Sequence, residues 1–78
     1  MIDQHLIELG WNDISTIPKS GMNIYVCYKD SDPRIEFPVR YDVDKNVWIG
    51  KAHILDYIID DFYDIVIGWK HQHRQRMF

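Results

Sequence analysis

With one cysteine in 78 residues, Cys27, the chain holds no internal disulfide and no multi-cysteine zinc knuckle. No apolar run approaches the roughly 20 residues that span a bilayer, and the N-terminus lacks the basic-then-apolar order of a signal peptide. Cytoplasmic residence is the expectation. No Gly-rich phosphate loop occurs, and the three serines, Ser15, Ser20 and Ser31, all sit in turn-like sequence, so an enzyme is not expected. Basic residues are scarce in most of the chain: before position 65, twelve acidic residues stand against six Lys and Arg. That deficit argues against general duplex-DNA binding, which needs a basic face.

What the chain does have is aromatic residues. Three Trp, five Tyr and three Phe among 46% hydrophobic residues favour a folded core over disorder, because large rings bury the most area per residue ordered. The expected organisation is one small domain over 1–70, followed by a basic, flexible tail over 71–78. The chain reads as a whole small protein.

Ile2, Leu6, Ile7 and Leu9 predict a short first helix with Asp3 in its first turn and Gly10 as its stop. Trp11, Ile14 and Ile17 then lead into a Pro18-x-x-Gly21 turn, which feeds a strand over 22–28. In that strand Met22, Ile24, Val26 and Tyr28 alternate with Asn23, Tyr25 and Cys27. A polar turn over 29–34 precedes a second strand, 35–42, where Pro38 predicts an edge or a bulge because it has no N–H. Asp44, Lys45 and Asn46 turn the chain into Val47, Trp48 and Ile49.

The spacing of Ile54, Leu55, Ile58, Ile59 and Phe62 then predicts a helix over about 51–62, with Asp56, Asp60 and Asp61 opposite its apolar stripe. A last strand, 64–69, places Ile65, Ile67 and Trp69 on one face. The expected fold is α+β: a three- to four-stranded, mainly antiparallel sheet with the 51–62 helix packed on one face.

The Trp-x-x-Ile-x-x-x-Pro-x-x-Gly start, a Tyr-Asp…Trp hairpin and a closing Trp strand are carried here by Trp11, Ile14, Pro18, Gly21, Tyr41, Trp48 and Trp69. This pattern resembles a family of short uncharacterised phage and prophage proteins. The resemblance implies a viral or mobile-element origin, where small proteins act by binding host factors, and it brings no catalytic residue with it. Two places depart from the pattern: a basic tail follows the closing Trp, and the 51–62 insert is long.

Several constellations have a functional and a plain reading. His71 and His73, with His53 and His5, are the only imidazoles, and a metal needs three or four convergent ligands, so a solvated tail is the better account. Asp42, Asp44 and Asn46 imitate the start of a calcium loop, but Val47 and His53 occupy the positions that require Gly and Glu. Cys27, in an apolar strand, reads as a small buried hydrophobe. No cofactor and no metal are expected.

The favoured expectation is a non-catalytic protein that binds and inhibits a host protein, such as a nucleic-acid-handling or CRISPR-type defence complex. Its candidate contact residues are Asp56, Asp60, Asp61, Asp64, Tyr57 and Tyr63. A second expectation is a single-strand-binding accessory protein using Lys70, Arg74, Arg76 and Tyr25, although direct nucleic-acid binding is disfavoured by the charge balance. A third is self-association, monomer against homodimer, through the strand that carries Ile35, Phe37 and Val39.

Overall fold

The computed structural model describes residues 2–72. The first helix, α1 (Gln4–Glu8), starts at Asp3, whose carboxylate accepts the His5 N–H at 2.8 Å. A 3-10 turn, Ile14–Thr16, is capped in the same way by Asp13, which accepts the Ser15 N–H at 3.0 Å. Gly21 takes φ +83°, a value that the turn into the next strand requires and a side chain would oppose.

Strands β1 (Asn23–Tyr28), β2 (Phe37–Asp42) and β3 (Val47–Ala52) follow. Asp42 closes the β2–β3 turn by accepting the Asp44 and Lys45 N–H groups, each at 3.1 Å. Then come β4 (Leu55–Ile58), the one-turn helix α2 (Phe62–Ile65) and β5 (Val66–His71).

All pairings are antiparallel, in the order β4-β3-β2-β1-β5. The α+β class is as expected, but the sheet has five strands rather than three or four. The extra strand comes from the segment expected to be a helix. Residues 51–62 contain the end of β3, a two-residue turn at His53 and Ile54, and all of β4. The side chains explain the outcome. Ile54, Ile58 and Ile59 are β-branched, and Tyr57 and Phe62 are aromatic, so each fits a pleated surface better than a helix interior. Only Ile59 and Phe62 of the supposed stripe reach the core; Ile54 is 91% and Leu55 69% exposed.

Two further expectations change. The strand bearing Pro38 is central, between β1 and β3, rather than at an edge. Its pairing with β3 begins only at Val39, so on that side the ladder stops short of the residue that has no N–H to give. In β5, the register slips so that Cys27 faces Gly68 while Tyr28 faces Val66, leaving Ile67 as the extra residue of a bulge. Val66 and Trp69 therefore share the core face, and Ile67 joins the opposite side.

Two thin cores result. The main one holds Ile24, Val26, Val39, Tyr41, Trp48, Val66 and Trp69 from the sheet, covered by Ile59 and Phe62. The smaller one puts Leu6 and Trp11 against Cys27 on the other face. All three indoles are buried and each N–H is used: Trp11 donates to the Pro33 carbonyl, Trp48 to Tyr63 and Trp69 to Asp13 and Thr16.

Candidate functional site

The segment 59–65 crosses the main core face of the sheet and is held down at two points. Ile59 and Phe62 are buried, and Phe62 stacks flat on Trp48, with ring centroids 4.3 Å apart and planes 7° from parallel. With those two residues turned inward, Asp60, Asp61, Tyr63 and Asp64 are turned out to solvent.

Tyr63 is fixed from below. Its hydroxyl accepts the Trp48 Nε1–H at 3.0 Å, and its ring meets Phe62 edge-on at 5.2 Å. The Lys19 ammonium sits 5.5 Å from the Tyr63 ring and 5.7 Å from the Tyr41 ring. The backbone of 61–65 closes one turn, with the Asp64 and Ile65 N–H groups donating to the Asp61 carbonyl. The Asp61 carboxylate makes no capping bond. Among the described residues, Asp60, Asp61 and Asp64 have no ion-pair partner. The result is a short, anchored display of three carboxylates around one tyrosine.

Asp56, expected on the same surface, lies on the other face of the sheet, whereas Tyr57 stays on the face that the 59–65 segment crosses. The Ile59 N–H donates to the Trp48 carbonyl, which fixes the parity of β4: Tyr57 faces the core side, and Asp56 and Ile58 face the other. Tyr57 covers Gly50, where a Cβ would come within 2.6 Å of the phenol ring, so the glycine makes the room. Asp56 pairs with Arg40 at 3.8 Å on the opposite face, across the ladder from Lys51. Six candidate contact residues thus separate into a displayed set of four and two residues of β4.

The other candidate sets are placed as follows. Tyr25 is half-buried against the smaller core. Lys70 is held by Glu36 at 3.0 Å and the Leu9 carbonyl at 3.2 Å, with its ammonium 4.1 Å above the Trp11 ring. Arg74, Arg76 and His73 lie outside the described residues.

His71 packs edge-on against Trp69, and His53 sits in the β3–β4 turn. Among the described residues, no three His, Cys, Asp or Glu side chains gather as a metal cluster would. Asn46 accepts the Tyr41 hydroxyl, so the Asp42–Asn46 stretch is accounted for as a turn. Burial, only partly offset by Lys70, pushes the Cys27 thiol up to about 11. Asp32 is lowered to about 2, by hydrogen bonds from Arg34 within one turn. Burial first, and the Tyr57 hydroxyl second, push the Tyr28 phenol well above the usual tyrosine range. None of these three groups is itself a displayed carboxylate; the Asp61 charge adds to the rise at Tyr28, behind burial and the Tyr57 hydroxyl.

Sequence reasoning missed β4 itself. Its four residues are all exposed, three of them apolar or aromatic, on an open edge of the sheet. The available signal was the β-branched and aromatic composition of 54–59. No protein-family model matches the sequence, and no curated protein or solved structure matches it. No helix among the described residues is long and apolar enough to cross a membrane.

Proposed function

We propose that this protein acts without catalysis, binding a protein partner through Asp60, Asp61, Tyr63 and Asp64. One observation carries the reading: these four residues are exposed on a segment whose neighbours, Ile59 and Phe62, are locked into the core over Trp48. A preformed surface loses little entropy on binding, and a tyrosine contributes large area with few torsions. Carboxylates that pair with no cation among the described residues give the surface its preference for a basic counterpart.

Basic grooves with apolar floors are the surfaces that nucleic-acid-handling proteins offer to phosphates and bases. The finer form of the proposal is therefore an inhibitor that occupies such a groove in a host nucleic-acid-handling or defence complex, CRISPR-type complexes included. The resemblance to phage and prophage proteins supports this choice of partner and an encounter in the host cytoplasm.

The test is affinity capture from host lysate with the natural chain beside a variant carrying Asp60→Asn, Asp61→Asn and Asp64→Asn. The expected result is one partner at stoichiometric yield, lost in the variant and weakened as salt rises from about 0.05 to 0.5 M. No stoichiometric partner, or equal recovery by both proteins, contradicts the proposal.

A further inference from the structure

The two edges of the sheet differ. Beyond β5, Asn12 forms an isolated bridge with Trp69, donating to its carbonyl at 2.7 Å and accepting its N–H at 3.2 Å. Among the described residues, no strand pairs beyond β4. Hydrogen bonding alternates along an antiparallel pair, so with Ile59 bonded to Trp48, residues 57 and 55 also bond inward to β3. The N–H and C=O groups of Asp56 and Ile58 therefore point away from the sheet.

Edge strands are normally guarded by shortness, charged side chains, proline, a bulge or a covering loop; β4 is short and carries one charge, Asp56, which Arg40 offsets, and it has no lysine, proline or bulge. β4 has the sequence Leu-Asp-Tyr-Ile, pairs in regular register, and is exposed along its whole length.

We propose that β4 pairs antiparallel with β4 of a second copy, joining the two sheets across a two-fold axis. The charges select the register. Outward groups must face outward groups, which leaves three two-fold alignments. Placing Asp56 opposite itself, or Ile58 opposite itself so that Asp56 meets Asp60 of the second copy, brings like charges face to face. The remaining alignment places Asp56 opposite Ile58 of the second copy and Tyr57 opposite its own equivalent. It separates the carboxylates, leaves each Asp56 with its Arg40, and sets Leu55 against Ile59 of the second copy. Two such hydrogen-bonded pairs supply about four backbone hydrogen bonds. A contact of one short strand is small, so dissociation on the order of micromolar is expected.

This proposal stands independently of the binding role given to Asp60, Asp61, Tyr63 and Asp64. Sedimentation equilibrium from about 1 to 500 μM tests it, with Asp56→Pro and Ile58→Lys as variants. Proline at 56 removes an outward N–H and the carboxylate that pairs with Arg40, but no N–H that bonds to β3, so the β3–β4 ladder stays intact. The expected result is a mass that doubles with concentration in the natural protein and stays monomeric in both variants. A dimer that survives both substitutions overturns the proposal. A natural protein that is monomeric throughout also overturns it, leaving the edge to a foreign strand. Amide exchange needs no variant: the Asp56 and Ile58 amides should gain about six- to ninefold protection between 5 and 500 μM, and unchanged exchange again overturns the pairing.

Discussion

Phe62 is the residue on which the displayed segment depends. It is 2% exposed and stacked on Trp48, and it lies between the carboxylates on either side of it. Phe62→Ala should cost about 3–5 kcal/mol, most of the margin of a domain this small, and a urea titration followed by Trp fluorescence will show the shifted midpoint. Phe62→Leu keeps much of the apolar volume but loses the flat stack, so it should leave the fold in place while loosening 60–64.

Cys27 makes a second residue-scale prediction. Its thiol is fully buried and raised to about 11, so the native protein should resist alkylation at pH 8 while the urea-unfolded chain reacts at the rate of a free thiol. The sign of the pH effect follows. The folded state holds this proton more tightly than the unfolded state does. The contribution to stability is complete below the unfolded value of about 8.5 and is lost as pH rises through about 11. Thermal melts between pH 8 and 11 check it, and a stability that rises over that range contradicts it.

Among the elements, β1 and β2 were legible because their side chains alternate between the two faces of the sheet, with Ile24 and Val26 in the main core and Tyr25 and Cys27 on the side of the smaller one. The Asp and Asn residues of the β2–β3 turn carried their own signal. The 51–62 segment misled for a definite reason. A helical stripe is inferred by treating apolar residues as buried, and Ile54, Leu55 and Ile58 are exposed. Once they are set aside, the spacing supports no helix.

The β5 bulge was equally hidden, since no residue type marks the slip at Ile67. At the site, the exposure of Asp60, Asp61 and Asp64 could be read from the chain, whereas the separation of Asp56 depends on the parity of β4, which no local pattern fixes.

The β3–β4 turn offers a test at this scale. His53 holds φ +58° in a two-residue connection, a conformation that costs a side-chain-bearing residue about 1–2 kcal/mol, against about 0.5–1 kcal/mol for the extra freedom of glycine. His53→Gly should therefore raise stability by about 0.5–1 kcal/mol. An unchanged or lowered melting temperature argues against the turn.

At the scale of the whole molecule, the arrangement divides the work between two surfaces. One face of the sheet carries the main core and, over it, the anchored 59–65 segment with its outward carboxylates. The other carries α1 and Trp11 over Cys27, and leaves Arg40, Asp56 and Ile58 uncovered near the open edge. Both functional proposals follow from where the chain turns at His53 and runs back along β3. If 51–62 were a helix, Asp56, Asp60 and Asp61 would form one charged stripe and no free edge would exist. The measurement that separates these outcomes is the set of backbone proton contacts seen by NMR across 49–62. Close Hα–Hα contacts between Lys51 and Asp56 and between Ile49 and Ile58, the non-hydrogen-bonded pairs of the ladder, are the predicted result. An unbroken series of i to i+3 contacts from 51 to 62, with those cross-strand contacts missing, would contradict the account.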